Sequence, residues 1–205
     1  MKLILAALLI AGSSPLLAQK SFQLLSPDNQ LKADVSVDKN VTVALNSGTT
    51  EVLAASPISM TLQSGEELGG NSPKVSKVTR AVGNHVVASP FYKRSSVRDQ
   101  YNELSIAFKG NYKIVFRLYN EGMAYRFETA RKGDMIVKNE QASYRFSSDH
   151  HAIVPYVNST AATFDEQFRN SFEQTYVDTA ITQLNSKRLL ILPAIVALDN
   201  GKKVC

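Results

Sequence analysis

The 205-residue chain has the length of one large domain and an ordinary globular composition, with 44% apolar and 20% charged residues. Lys and Arg number 23 against 18 Asp and Glu, a net charge of +5, but no basic run is longer than two residues, as in Lys202-Lys203, which argues against a nucleic-acid-binding surface. One cysteine, Cys205, excludes an internal disulfide, so we expect an apolar core to supply the stability.

The N-terminal segment MKLILAALLIAGSSPLLA has the pattern of a secretory signal. Lys2 gives a positive start, an apolar run extends from Leu3 to Ala11, and Ala18 is a small residue at the expected cleavage site. The run is too short for a membrane anchor. We therefore expect residues 1–18 to be removed, residues 19–205 to form the mature domain, and the protein to be exported to the periplasm or secreted.

Downstream of this segment the sequence predicts an all-β fold. Short runs in which apolar and polar residues alternate are separated by glycine and asparagine turn signals, and helical periodicity is weak throughout. The predicted strands are contained in LKADVSVD, NVTVALNSGTTEVLAAS, ISMTLQSGEEL, KVSKVTRAVGNHVVA, NELSIAFKGNYKIVFRLYNEGMAYRFETA, MIVKNEQASYRFS, HAIVPYV and RLLILPAIVAL. In KVSKVTRAVGNHVVA the Gly83-Asn84 dipeptide predicts a turn between two strands.

One hairpin can be predicted in register. If Leu118 faces Met123, one face of the pair collects only apolar or aromatic side chains: Ile114, Phe116, Leu118, Met123, Tyr125 and Phe127. A slip of one residue would mix the two faces, so the register is strongly specified. Gly122 is the expected positive-φ residue of the turn. Arg117 and Arg126 fall on the opposite face, where a solvated or salt-bridged role is favoured over a ligand site.

The last predicted strand is followed by the turn signal Asp199-Asn200-Gly201 and only the start of a return strand. A hairpin with one short arm leaves an apolar edge unpaired, so the sequence is expected to be either a polypeptide that stops early or a fragment of a longer gene product.

The residues give little support for chemistry carried by this chain alone. His150 and His151 point to opposite faces if they lie on a strand, and no zinc spacing occurs. No GxSxG motif or phosphate-binding glycine loop is present. Asp165, Glu166 and Glu173 lie in the long polar stretch NSTAATFDEQFRNSFEQTYVDTA, but a glycosidase needs two carboxylates that face each other across a cleft.

Several segments together resemble the N-terminal domain of glycoside hydrolase family 97. They are SPD, SSVRDQYNEL, FRLYNEGMAYRFET, VPYVN, FEQTY and LPAIVALDNGKKV, which extend from about Leu25 to Val204. The resemblance implies a β-supersandwich like the galactose mutarotase fold, which packs against a catalytic (β/α)8 barrel. Enzymes of this family are exported α-glucosidases and α-galactosidases, so the implied substrate is an α-linked oligosaccharide or galactoside.

The resemblance also implies a role for one side chain. In the family the N-terminal domain lends one glutamate to a calcium ion otherwise held by the barrel, and the matching position is Glu173. Calcium takes six to eight oxygen ligands and one carboxylate offers at most two, so the calcium site is incomplete in this chain. The chain has neither the barrel nor its catalytic pair, and we expect it to be inactive alone.

Two alternatives remain open. A free-standing carbohydrate-binding module would stack sugars on aromatic side chains. The candidates are Tyr92, Tyr101, Phe164, Phe168, Phe172 and Tyr176. The other alternative is a remnant of a split gene, which the DNA sequence downstream of Cys205 would reveal.

Overall fold

A computed structural model describes residues 19–89, 93–169 and 173–205, so the predicted secretory segment 1–18 lies outside the described residues. The described chain is built almost entirely from antiparallel strands. It contains one four-residue helix, α1 (Phe164–Gln167), and a 3₁₀ turn at Ile181–Gln183. The predicted all-β fold is confirmed.

Two sheets form the main sandwich. The first runs in the order β1–β2–β3–β4–β10, with the short β5 paired to β4. Its strands are β1 (Lys20–Leu25), β2 (Leu31–Val37), β3 (Val41–Ser47), β4 (Thr50–Leu62), β5 (Glu67–Leu68) and β10 (Val137–Ala142). The second runs β6–β7–β8–β9, from β6 (Val75–Ala88), β7 (Ser96–Phe108), β8 (Tyr112–Leu118) and β9 (Met123–Thr129).

The core lies between these sheets because alternate residues of both point inward. In β2 the buried positions are Ala33, Val35 and Val37, with polar or partly exposed residues between them. They pack in one apolar cluster with Leu104 and Phe116 of the second sheet. Full burial of an aliphatic or aromatic side chain contributes about 1.5–3 kcal/mol, so this cluster is the main source of stability.

The predicted hairpin register is confirmed. Leu118 pairs with Met123, Phe116 with Tyr125 and Ile114 with Phe127. All six of these side chains belong to or pack against the core cluster. Arg117 and Arg126 lie on the other face in ion pairs with Glu103 and Glu128. The favoured interpretation of the two arginines as a salt-bridged outer face is therefore also confirmed.

Three local predictions are wrong. Gly83-Asn84 is not a turn, because β6 continues unbroken from Val75 to Ala88 and Gly83 pairs with Tyr101. Gly122 is not among the positive-φ glycines, and the turn is closed by a hydrogen bond of 2.8 Å from the Tyr119 N–H to the Gly122 carbonyl. The apolar run RLLILPAIVAL forms a strand only at Ile195–Ala197, because Pro193 cannot donate to a ladder.

A smaller third sheet has the order β12–β11–β13–β14, from β11 (His151–Val154), β12 (Val177–Ala180), β13 (Ile195–Ala197) and β14 (Lys203–Val204). Ala152, Val154 and Tyr156 form its own small core. Asn200 and Lys202 attach the sheet to the β3–β4 turn through Thr50 and Ser47. Within the described ranges, no helix is long and apolar enough to cross a bilayer.

Candidate functional site

The polar stretch that contains Glu173 connects the two adjacent strands β11 and β12 of the third sheet. Its first half leaves β11, passes Thr160 and enters α1. Its second half, from Glu173 to Tyr176, leads directly into β12. Both strand ends are fixed by the ladder in which Val154 pairs with Val177. The loop therefore leaves and re-enters the third sheet at the same end.

Helix α1 begins with a capping box formed by Thr163 and Glu166. The Thr163 hydroxyl accepts from the Glu166 backbone N–H, and the Glu166 carboxylate accepts from the Thr163 N–H and hydroxyl. Asp165 lies in the same first turn, where a negative charge is favourable. Glu166 thus has a structural role and Asp165 a favourable helix position, and neither supplies evidence of a catalytic pair.

Gln167 holds the loop to the segment at residues 187–189. It is almost fully buried, and its amide nitrogen donates to the Ala161 and Lys187 carbonyls at 2.9 Å each. Its amide oxygen accepts from the Leu189 N–H at 2.7 Å. One buried side chain thus bonds three backbone groups, which fixes the position of α1. The role of this residue is not predictable from the sequence, because an isolated glutamine gives no local signal.

Arg188 makes a second set of contacts that stabilise this region. Its guanidinium lies over the Tyr156 ring at 4.9 Å, and its Nη2 donates to the Val157 carbonyl. Its Nε is buried without a hydrogen-bond partner among the described residues. Together these contacts hold the second wall of an open cleft of about 790 Å³ lined by residues 160–164, Gln167 and residues 185–188.

Aromatic side chains border this region. Phe164, which lines the cleft, and Phe168 and Tyr176 are each roughly half exposed. Tyr92 and Phe172, two other proposed stacking residues, lie outside the described residues. Tyr101 is buried in the second sheet beneath Arg117, whose guanidinium lies 4.0 Å from the ring centroid. Tyr101 is therefore wrong as a candidate for sugar stacking.

Acids and histidines near the third sheet are arranged as separate pairs. His150 is buried, with its Nδ1 3.1 Å from Asp199, whereas the exposed His151 lies 2.9 Å from Asp178. Hydrogen bonds from the Thr182 hydroxyl and N–H hold the pKa of Asp149 below its usual value. In the described ranges no three His, Cys, Asp or Glu side chains are grouped as a metal site.

Glu173 is exposed at the point where the described chain resumes before β12. A carboxylate is a suitable calcium ligand, but it supplies at most two of six to eight oxygens. The role of Glu173 as a calcium ligand therefore stays a prediction.

Comparisons with known proteins agree on the type of domain. The family model described as Glycosyl-hydrolase 97 N-terminal matches residues 24–205. A retaining alpha-galactosidase of Bacteroides thetaiotaomicron is 40% identical over 205 residues, which is 100% of this chain and 31% of that enzyme. The chain thus spans about a third of the length of this curated relative.

Solved structures share the fold. A Glycoside Hydrolase Family 97 enzyme from Pseudoalteromonas sp. strain K8, in complex with acarbose, superposes with a TM-score of 0.69 at 21% identity over 88% of this chain and 27% of its own. A beta-arabinopyranosidase crystal structure gives a TM-score of 0.75 at 20% identity over 89% of this chain and 30% of that one.

Proposed function

The chain belongs to glycoside hydrolase family 97, whose N-terminal model covers residues 24–205, and from this membership we propose that it is the non-catalytic N-terminal domain of an exported, calcium-dependent α-glycosidase. In this proposal the β-sandwich braces a catalytic (β/α)8 barrel, helps to shape the sugar cleft and contributes the Glu173 carboxylate to calcium. A bound calcium would supply a fixed positive charge beside that cleft.

The observation that carries the proposal is the placement of Glu173. It is exposed in the loop, four residues before β12 begins, and Gln167 and the Thr163 capping box hold the other half of the same loop. A ligand shared between domains has to be accessible from outside its own domain, and an exposed carboxylate close to the start of a strand meets that requirement. The 31% coverage of the Bacteroides enzyme supports a second, larger domain that would supply the other ligands.

The proposed substrate is an α-linked galactoside or oligosaccharide. The 40% identity to a retaining alpha-galactosidase makes α-galactosides the first substrates to test. We expect no hydrolysis by the isolated chain, because the proposal assigns the catalytic carboxylate pair to the barrel domain.

A chimera tests the proposal. Residues 19–205 replace the aligned 31% of the Bacteroides enzyme, and hydrolysis of p-nitrophenyl α-galactoside is measured with and without calcium. We expect calcium-dependent activity in the chimera and none in the isolated chain. An isolated chain that hydrolyses the substrate, or a folded chimera that does not, would contradict the proposal.

A carbohydrate-binding module is the second candidate, and the exposed rings of Phe164, Phe168 and Tyr176 favour it. Calorimetry of the isolated chain with melibiose and maltooligosaccharides separates the two. Binding at millimolar or lower concentration that is lost in Phe164→Ala favours the module, whereas no heat of binding favours the docking domain.

A further inference from the structure

The β6–β7 hairpin extends beyond the sandwich that supports its base. Among the described residues, β8 pairs with β7 only from Asn102 to Phe108, whereas β6 stays paired with β7 as far as Ala88 opposite Ser96. Residues 82–88 and 96–101 therefore form a two-stranded ribbon without a third strand, here named the arm. Isolated ribbons of two strands are marginal in water, so an arm of this length needs cover to be stable.

The face of the arm that continues the core face carries two uncovered valines. Val78, at the base of β6, packs against the core cluster. Four and eight residues further along the same face, Val82 and Val86 are 77% and 70% exposed. Valine thus recurs at every second position of this face beyond the part of β6 that packs against the core, with Arg80 and Asn84 between, and this favours cover by another surface.

The charges on this face indicate the chemistry of that surface. Beside the valines the described residues of the face carry Arg80, Arg98 and the amides of Asn84, Gln100 and Asn102, without an acid. The acids of β7 lie on the opposite face in ion pairs, Asp99 with His85 and Glu103 with Arg117. A complementary surface would be apolar at its centre and acidic at its rim.

We infer that the arm docks through Val82 and Val86 onto the larger catalytic domain of a family 97 enzyme. This inference rests on the proposed function. We choose the catalytic domain as the partner because the Bacteroides and Pseudoalteromonas relatives are much longer than this chain. Outside the matched region they have roughly twice as many residues as this chain contains. A second copy of the chain is a poorer occupant, since Arg80 and Arg98 on the same face would repel their counterparts.

The test compares matched variants in the chimera described above and in the isolated chain. Val82→Thr with Val86→Thr keeps side-chain shape and strand propensity while placing hydroxyls in the proposed contact. Arg98→Glu reverses a charge beside it. The control is Ile136→Thr with Val137→Thr, which alters two similarly exposed side chains at the start of β10 in the other sheet. Calorimetric scans, activity and sedimentation are recorded for each.

We expect the Val82→Thr/Val86→Thr and Arg98→Glu chimeras to unfold at least about 4 °C lower than the parent, with the N-terminal domain melting separately, while the control stays within about 1 °C. The isolated chain should show no such difference, because its valines are already exposed.

Arm variants that behave like the control, in an active chimera whose domains unfold together, would overturn the docking inference alone. A parent chimera that is inactive, and in which the two domains unfold independently, would overturn the proposed function as well. An isolated chain that dimerises through the arm, and becomes monomeric in Val82→Thr/Val86→Thr, would identify a second copy as the occupant and also overturn the inference.

Discussion

The ring of Tyr101 lies directly on the backbone of Gly83, its partner across the β6–β7 pair. A Cβ atom at residue 83 would come within 2.3 Å of the ring carbon Cζ, a distance that side chains do not tolerate. The Arg117 guanidinium lies 4.0 Å from the centroid of this ring, and the ring centroids of Tyr119 and His85 lie 5.5 Å and 6.1 Å from it. Tyr101 therefore fastens the base of the arm to β8, and the missing side chain at Gly83 is what permits it.

Gly83→Ala is expected to destabilise the domain by about 1–3 kcal/mol, because the Tyr101 ring must leave its position. Urea denaturation of the isolated chain measures the change. Gly122→Ala is the control, since its Cβ would meet no atom within 4 Å and its φ is not in the left-handed region. Equal stability of the two variants would contradict the proposed packing.

Arg117→Ala is expected to cost more than Arg126→Ala. Arg117 is partly buried, bonds Glu103 at 2.8 Å and covers Tyr101, so its loss removes packing and leaves Glu103 without its partner; we expect about 1–2 kcal/mol. Arg126 is exposed and pairs with Glu128 at the surface, so its loss should stay within about 0.5 kcal/mol. Equal effects in urea denaturation would show that Arg117 contributes only surface charge.

Gln167→Leu is expected to loosen the loop that carries Glu173. The substitution leaves the Ala161 and Lys187 carbonyls and the Leu189 N–H without their partner, at about 1–3 kcal/mol for an unsatisfied buried group. Hydrogen exchange should accelerate at Leu189, whereas Gln183→Leu, at an exposed glutamine, should leave it unchanged. Continued protection of Leu189 in Gln167→Leu would contradict this bracing role.

The domain is expected to lose stability in acid partly through Glu66. Two hydrogen bonds of 2.6 Å from Arg131 hold the pKa of this carboxyl below its ordinary value of 4.5. A carboxyl with a lowered folded pKa adds stability above its unfolded pKa and loses it as the pH falls through the folded pKa. Below about pH 4.5, Glu66→Gln and Arg131→Met should therefore flatten the fall in unfolding free energy. An unchanged slope in both variants would exclude this pair.

Features of the fold that depend on neighbouring residues in the sequence could be predicted, whereas those that depend on distant residues could not. The pairing of Leu118 with Met123 was predictable because only one register gives an uninterrupted apolar face. Gly83 was misassigned because Gly-Asn is a turn signal, whereas its true determinant is a ring eighteen residues later in the chain.

The candidate site was less predictable than the fold. Gln167 acts through carbonyls and an amide that only the folded loop brings to it, so no spacing in the sequence could reveal it. Glu173 was identified by resemblance, because a lone acid in a polar loop has no pattern of its own.

Calcium titration of the chimera by calorimetry tests the central claim most directly, with Glu173→Gln compared against the parent and against Glu121→Gln, an exposed acid in the β8–β9 turn. The substitution keeps the shape of the side chain and removes its charge. We expect Glu173→Gln to weaken calcium binding by about tenfold or more and Glu121→Gln to leave it unchanged. Calcium affinity in Glu173→Gln equal to that of the parent would contradict the assignment of this residue as a shared ligand.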